Sequence, residues 1–163
     1  MLPIKLITTK PEDTGLLISL YGSTRTKELA NTGWSEEQKS QFIQMQFNAQ
    51  HAHYSTHYSK AAFDIIYYNS KAVGRFYVCR NGDDIRVIDI TLLPPYQGMG
   101  IGTQLLNELL EEAREQCKEV SLHCEIQNSA QKWYCKLGFH VEKEKEFHHF
   151  MKTNLHQEKL VTT

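Results

Sequence analysis

The sequence predicts an α+β fold built on one mixed sheet. Residues 62–68, 72–79 and 85–93 are rich in aromatic and β-branched side chains and are separated by short polar turns, which predicts an antiparallel meander. A leucine-rich helical pattern follows, and then a further apolar segment at residues 120–126. A strand, a helix and a strand in that order form a right-handed crossover, so the fourth of these strands should lie parallel to the third.

Length and charge are those of a single soluble domain. The 163 residues suffice for one hydrophobic core, and the net charge of −1 gives no reason to expect nucleic acid or an anionic membrane as a partner. The apolar runs are far shorter than a membrane span, and residues 1–5 lack a signal pattern. We expect a cytoplasmic protein with one domain over residues 1–155 and a frayed tail over residues 156–163.

The N-terminal part should contribute one strand and a first helix. Residues 4–8 alternate enough to form a strand. Pro11 and the two acidic residues after it start a helix that carries three leucines and is interrupted at Gly22. Residues 23–34 are polar and should be irregular.

A second, longer helix opens at a capping box. Ser35 is followed three residues later by Gln38, and the helical pattern after it should end near His53 or Tyr54. The end of this helix is rich in histidine and tyrosine, which fits either a ligand-binding surface or side chains that are solvated and hydrogen-bonded locally.

The last third should form a short helix and two final strands. The helix covers residues 129–137 and ends at Gly138. Residues 139–142 and 147–152 are strand-like and are joined by a charged turn. Their edge offers a surface through which a homodimer could form.

Glycines mark the passage from the third strand into the leucine-rich helix. Pro94 and Pro95 end the strand, and Gly98, Gly100 and Gly102 open directly into the helical pattern. A helix N-terminus with so little side-chain bulk exposes unpaired N–H groups that suit phosphate. A purely steric need for glycine is the alternative, and neither the Walker A nor the G-x-G-x-x-G spacing is present.

Two spaced motifs resemble the GNAT superfamily of N-acetyltransferases. The first is Q-x-x-G-x-G at Gln97, Gly100 and Gly102, and the second is N-x-A-x-x-x-Y-x-x-L-G-F at residues 128–139. The resemblance covers roughly residues 62–154. It implies a mostly antiparallel sheet with a splayed parallel pair, flanked by helices, and acetyl-CoA as the co-substrate whose acetyl group a primary amine attacks directly in a ternary complex.

The resemblance also implies where the coenzyme binds. The loop amides would hold the pyrophosphate, the pantetheine arm would pair with the strand near Ile90, and the N–H of about Leu92 would face the thioester oxygen. Gln97 stands where relatives often have arginine, which removes one cation. The expected cofactor-binding residues are Ile90, Thr91, Leu92, Gln97, Gly98, Met99, Gly100, Ile101, Gly102, Thr103, Asn128 and Tyr134.

Tyr134 aligns with the family's general acid. A phenol with a pKa of about 10 can protonate a thiolate whose conjugate acid has a pKa of about 8.5 without a large uphill step. Tyr134 could instead pack or bond the coenzyme, and Asn128 could be an ordinary helix cap. For the general base we rank Glu125 above Asp89, with His123 third, and a chain of waters is the alternative to a single base.

By the same resemblance the first helices form a wall of the acceptor site. Acceptor contacts are expected at Arg25, Glu28, Trp34, Gln46 and Tyr54. The wall has mixed charge, so the acceptor is left open as an amine of a small molecule, a peptide or a protein. A catalytically inactive CoA-binding sensor or partner-binding domain is the alternative function.

No metal is expected. The four cysteines show no C-x-x-C spacing. The pairs His123–Cys124 and His148–His149 are adjacent on strands, where neighbouring side chains point to opposite faces and chelate poorly.

Overall fold

The computed structural model describes residues 1–126 and 128–153, which form one sheet flanked by helices on both faces. The predicted tail at residues 156–163 lies outside the described residues. Two 3-10 turns, Pro11–Asp13 and Pro94–Tyr96, accompany the regular elements. The helices are α1 Thr14–Ser23, α2 Thr26–Ala30, α3 Glu36–His57, α4 Ile101–Glu115 and α5 Ala130–Lys136. The strands are β1 Ile4–Thr8, β2 Ala62–Tyr68, β3 Lys71–Cys79, β4 Ile85–Leu92, β5 Val120–Glu125, β6 His140–Glu144 and β7 His148–Lys152.

The predicted mixed sheet is confirmed. Its seven strands lie in the order β1-β2-β3-β4-β5-β7-β6, and only β4 and β5 pair in parallel. Strand β7 lies between β5 and β6, so of the last two strands only β6 forms an edge of the sheet.

Two hydrophobic cores cover the two faces of the sheet. Helix α4 contributes Leu105, Leu106 and Leu109 to the larger core, together with side chains from β3, β4 and β5. The smaller core joins α1 and α3 to the opposite face, where Phe47 packs near Tyr77. Alternate positions of one strand therefore face two different helical layers.

Strands β4 and β5 separate soon after they begin. They pair only from Ile85 to Val87 on the β4 side. In β3, Tyr77 and Val78 face Asp89 and Val87, so Ile88 is an extra residue in β4, and such a bulge bends a strand. Both strands continue beyond the paired segment, and the gap between them is the splay that the resemblance implied.

Two predicted boundaries were wrong. Residues 23–34 are not wholly irregular, because helix α2 covers Thr26–Ala30 and buries Leu29. Helix α3 continues to His57, about one turn beyond the predicted end, and His57 Nδ1 lies 3.0 Å from the carbonyl oxygen of His53. The capping box is confirmed, since Ser35 and Gln38 each bond the other's backbone N–H. Within residues 1–126 and 128–153, no helix is long and apolar enough to cross a membrane.

Candidate active site

The loop before α4 exposes a run of free donors. None of the six consecutive N–H groups from Gly98 to Thr103 donates to another described residue, and the first bond of the helix runs from Gln104 N to Gly100 O. These groups lie at the positive end of the α4 dipole. The arrangement fits an anionic group, as the pyrophosphate of coenzyme A requires.

Two of the three loop glycines are required by backbone conformation and one by packing. Gly98 and Gly100 have φ of 75° and 92°, which side-chain-bearing residues rarely adopt. At Gly102 an added Cβ would lie 3.0 Å from the ring of Trp133. Trp133 Nε1 also donates to Thr103 Oγ1 at 2.9 Å. Gly102 therefore lets α5 approach the start of α4 closely.

The loop side chains contribute little to the row of donors. Gln97 Nε2 donates to the carbonyl oxygen of Leu92 at 2.9 Å, so this side chain closes the loop on β4. The Thr103 hydroxyl is already used by α5, and Met99 is exposed. Any anion bound here would be held by main-chain groups.

The edge of β4 that faces the gap carries free backbone groups. Leu93 N donates to Val73 O in β3 at 2.9 Å. Because residues of an antiparallel pair point alternately towards and away from the partner, Thr91 also faces β3. Ile90 and Leu92 therefore direct their N–H groups towards the gap between β4 and β5.

Tyr134 of α5 lies close enough to both strands to interact electrostatically with Asp89 of β4 and Cys124 of β5. Its ring is buried, with centroids 5.0 Å from Trp133 and 5.8 Å from Phe139. Its hydroxyl bonds no other described residue. Burial raises the pKa of the phenol well above its ordinary value, and the nearby Cys124 thiol and Asp89 carboxylate raise it further. The phenol is therefore a neutral donor at neutral pH.

Three tyrosines should lose their protons only at a pH above the ordinary pKa of tyrosine. Burial is the main cause that raises the pKa of Tyr54, Tyr77 and Tyr134 above the ordinary value of about 10. Above that pH the unfolded chain has lost protons that the folded protein keeps. The stability that these groups contribute is therefore full below pH ~10 and falls as the pH rises through the folded-state pKa values.

The absorbance of tyrosinate checks this expectation. In native protein, the pH titration should leave part of the signal of the eight tyrosines undeveloped until the chain unfolds, whereas denaturant-unfolded protein should titrate near the ordinary pKa. Identical curves for the native and the unfolded protein would contradict it.

Asp89 is held by three donors. Arg75 Nη2 lies 2.7 Å from Oδ2, the Thr91 hydroxyl donates to Oδ1 at 2.6 Å, and the Tyr54 hydroxyl forms a long bond of 3.5 Å to Oδ2. The Arg75 side chain is 2% exposed and that of Asp89 is 13% exposed. This carboxylate is the partner of a buried cation, which favours a structural role.

Asp89→Asn should therefore destabilise the fold. The substitution leaves the buried Arg75 cation uncompensated, which costs roughly 3–5 kcal/mol. Urea unfolding measures the loss, with the exposed Asp83→Asn as the control. A free energy of unfolding within about 1 kcal/mol of wild type would show that the pair is not needed.

Glu125 lies at the open end of β5 and meets the first helices. Its side chain is 56% exposed, with Oε1 3.9 Å from Arg25 Nη2. Arg25 also bonds Glu28 at 2.9 Å and donates from Nε to the hydroxyl oxygen of Tyr21, which itself donates to Gln46 Oε1. The structure thus links Arg25 directly to Glu125, Glu28 to it through Arg25, and Gln46 to it through Tyr21 and Arg25.

The other predicted residues lie apart from this chain of contacts. Trp34 packs edge-on against Phe42 and is 40% exposed. Asn128 Oδ1 accepts from the N–H of Ala130, the first residue of α5, which leaves the amide nitrogen of Asn128 free of that bond. His123 lies on β5 beside Phe150, and partial desolvation of its ring, followed by the nearby Arg86, lowers its pKa. Within the described ranges, no cluster of three metal-ligating side chains occurs.

Two residues that organise the site are not apparent from the sequence motifs. Tyr21 connects α1 to α3 and to Arg25, the residue before α2, and Arg75 is a buried cation in β3. The signal for Arg75 is a charged residue inside an apolar strand, because such a residue requires a partner on the same face of the sheet.

Comparison with known proteins agrees with this geometry. The model of the Acetyltransferase (GNAT) family matches residues 24–139. A comparison with curated protein sequences gave no match. The fold is similar to that of PaiA N-acetyltransferase from Thermoplasma acidophilum in complex with coenzyme A, with a TM-score of 0.69 and 22% identity over 93% of this chain and 98% of that one.

Two further structures share the fold. Arabidopsis thaliana Naa50, in complex with the bisubstrate analogue CoA-Ac-MVNAL, has a TM-score of 0.58 and 20% identity over 93% of this chain and 98% of that one. A GNAT-family acetyltransferase from Staphylococcus aureus Mu50 has a TM-score of 0.65 and 19% identity over 93% and 99%. The family model covers most of the chain, including both motifs and α2 and α3. The chain belongs to the GNAT family of acetyltransferases.

Proposed function

We propose that the protein transfers an acetyl group from acetyl-CoA to a primary amine by direct attack in a ternary complex. The observation that carries this proposal is the meeting of three features at one gap. These are the six free N–H groups of the loop, the edge of β4 that faces the gap towards β5, and Tyr134 with its hydroxyl near Asp89 and Cys124. Bound acetyl-CoA would supply an activated thioester at this gap.

The loop would hold the diphosphate through main-chain donors. Gly98 and Gly100 keep the backbone in the left-handed region without a side chain over the donors. The α4 dipole adds favourable charge at the same point. No arginine is needed at position 97 for this contact, since the Gln97 side chain is engaged with Leu92.

The β4 edge and Tyr134 would stabilise developing charge. The N–H of Leu92 is directed into the gap, where it could donate to the thioester oxygen as negative charge builds on it. The Tyr134 hydroxyl could donate to the leaving sulfur. Its raised pKa keeps the proton on the phenol at neutral pH, so the hydroxyl would stabilise the leaving thiolate mainly as a hydrogen-bond donor. The same raised pKa makes complete proton transfer to the thiolate less favourable than the ordinary phenol pKa implies.

Glu125 is the better placed of the two candidate bases. It is exposed at the mouth of the gap, whereas Asp89 already accepts from three donors. An exposed carboxylate can take the amine's proton directly or through water.

Glu125→Gln should lower kcat about tenfold, because water alone remains as the proton acceptor. The matched control is Glu142→Gln, which also removes an exposed, ion-paired strand carboxylate but lies on β6. Steady-state thiol release measures both variants. An unchanged kcat in Glu125→Gln would exclude Glu125 as the base.

The acceptor side favours a polar amine without a strong charge requirement. Arg25, Glu28 and Glu125 place one cation between two carboxylates, and Gln46 and Tyr21 continue the polar surface. One structural neighbour was captured with a peptide-containing bisubstrate analogue. Small amines, peptide N-termini and lysine side chains are all within the proposal.

Thiol release from acetyl-CoA across a panel of these amines tests the function. We expect release that depends on the acceptor, initial-rate plots that intersect as a ternary complex requires, and a mass increase of the acceptor by one acetyl group. Acetyl-CoA binding without release on any amine would contradict the enzyme and support a CoA-binding sensor. Acetylation of the protein itself before the acceptor is added would contradict direct attack.

A further inference from the structure

Arg75 is a buried cation among apolar residues in the middle of β3, whose other charged residue, Lys71, is exposed at its start. Its side chain is 2% exposed, and its neighbours in β3 include the buried Val73, Phe76 and Val78. It faces α3 together with Tyr77, whose ring centroid lies 5.0 Å from the guanidinium carbon. A charge in this position must be explained by its partners.

Arg75 interacts with the Tyr77 hydroxyl, and its hydrogen bonds to Asp89 and Gln50 both come from one nitrogen. Nη2 donates to Asp89 Oδ2 at 2.7 Å and to Gln50 Oε1 at 2.8 Å. Nε is enclosed and has no acceptor among the described residues. A guanidinium group can bind one carboxylate through two of its nitrogens. In Arg75, one nitrogen instead bonds both Gln50 on α3 and Asp89 on β4.

Stability alone does not account for this arrangement. A buried ion pair loses hydration that its attraction barely restores, and well-packed apolar residues are often equally stable in its place. The unpaired Nε adds a further cost. Arg75 instead fixes the position of α3 relative to β4.

On α3, the residues joined to this contact are three polar side chains on one face of the helix. Gln46, Gln50 and Tyr54 recur every four residues, so they share one helix face. Gln46 bonds Tyr21, Gln50 bonds Arg75, and the Tyr54 hydroxyl bonds Asp89. These three side chains form a polar row beside Phe47, which packs on the sheet, and they line α3 next to the proposed acceptor site.

On β4, the residue that Arg75 contacts, Asp89, lies next to the gap between β4 and β5. Asp89 immediately precedes Ile90, whose N–H faces the gap between β4 and β5. The Tyr54 hydroxyl, while donating to Asp89, keeps its oxygen lone pairs available to accept a hydrogen bond from an amine. The position of Tyr54 relative to the strand edge therefore depends on Asp89, Arg75 and Gln50.

We propose that Arg75 is a positioning residue that locks α3 to β4 and thereby sets where Tyr54 meets the acceptor amine. This inference rests on the proposed acetyltransferase function. It predicts that loosening the lock impairs use of the acceptor while leaving the acetyl-CoA loop intact, because the loop lies on the other side of β4 and uses main-chain donors.

Two substitutions loosen the lock without leaving Asp89 unpaired. Gln50→Leu removes only the acceptor on α3, and Arg75→Lys keeps the charge but lacks the planar fork. Gln50→Glu retains an acceptor oxygen for Arg75 and should restore wild-type use of the acceptor. Gln44→Leu is the matched control, since Gln44 is exposed on the same helix.

We expect the acceptor KM to rise about tenfold in Gln50→Leu and Arg75→Lys, with kcat and the acetyl-CoA Kd changed by less than about threefold. Gln50→Glu and Gln44→Leu should stay close to wild type. An unchanged acceptor KM in both lock variants would overturn the inference, and so would an equal loss of acetyl-CoA affinity.

Amide hydrogen exchange separates this inference from the function on which it rests. Residues 50–57 should exchange faster in Gln50→Leu than in Gln44→Leu, by a factor larger than any difference in global stability explains. Equal exchange would overturn the lock even if the enzyme is active. Faster exchange in a protein whose wild type acetylates no amine would keep the lock and reject the acceptor role.

Discussion

Tyr134→Phe should reduce kcat about a hundredfold while the Kd for acetyl-CoA changes by less than about threefold. Phenylalanine keeps the ring that packs between Trp133 and Phe139, so the fold and the loop stay in place. Only the donor at the gap is lost. Single-turnover thiol release and calorimetric titration measure the two quantities separately.

Tyr67→Phe is the control for this substitution. Tyr67 is half-buried on β2 and packs in the smaller core, away from the β4–β5 gap. It should keep wild-type turnover. Full turnover in Tyr134→Phe would remove the phenol from the mechanism, and loss of acetyl-CoA binding would make Tyr134 a packing residue.

Gly100→Val should weaken acetyl-CoA binding about a hundredfold. Gly100 has a φ of 92°, and a branched residue resists this conformation by about 1–2 kcal/mol. Relaxation of that strain would turn the N–H groups on either side of position 100 away from the bound anion. The added side chain would also stand on the exposed face of the loop.

Gly33→Val separates strain from binding. Gly33 has a φ of 73° and no atom within 4 Å of an added Cβ, so it carries a similar backbone cost away from the loop. Both variants should lose comparable stability in urea, but only Gly100→Val should lose acetyl-CoA affinity. Unaltered acetyl-CoA affinity in Gly100→Val would contradict the assignment of the loop as a phosphate-binding site.

Local signals account for what the sequence predicted well. The strands of the meander carry β-branched and aromatic residues between short turns, and Ser35 with Gln38 is a complete helix start within four residues. The glycine loop was predictable because proline ends β4 and leucines define α4.

Non-local geometry accounts for what the sequence did not reveal. The extra residue at Ile88 that bends β4 is apparent only once the register with β3 is known. The insertion of β7 between β5 and β6 likewise has no local signal. The Gln97 side chain turns back to the Leu92 carbonyl because of the loop's path, which no spacing rule encodes.

Arg75 shows how far the sequence alone can describe the site. Its place inside an apolar strand could have indicated a buried pair, and Asp89 was already singled out as an acidic residue in the next strand. Pairing the two requires the register in which Tyr77 faces Asp89, so that Arg75 and Asp89 lie diagonally on one face of the sheet. The consequence is that Asp89, ranked as a candidate base, is better explained as the partner of Arg75.

Calorimetric titration of the purified protein with acetyl-CoA tests the central claim most directly. We predict saturable binding of one acetyl-CoA per chain, abolished or strongly weakened in Gly100→Val and retained in Gly33→Val and Tyr134→Phe. Absence of binding to the wild-type protein would contradict the phosphate-binding loop and, with it, the proposed acetyl transfer.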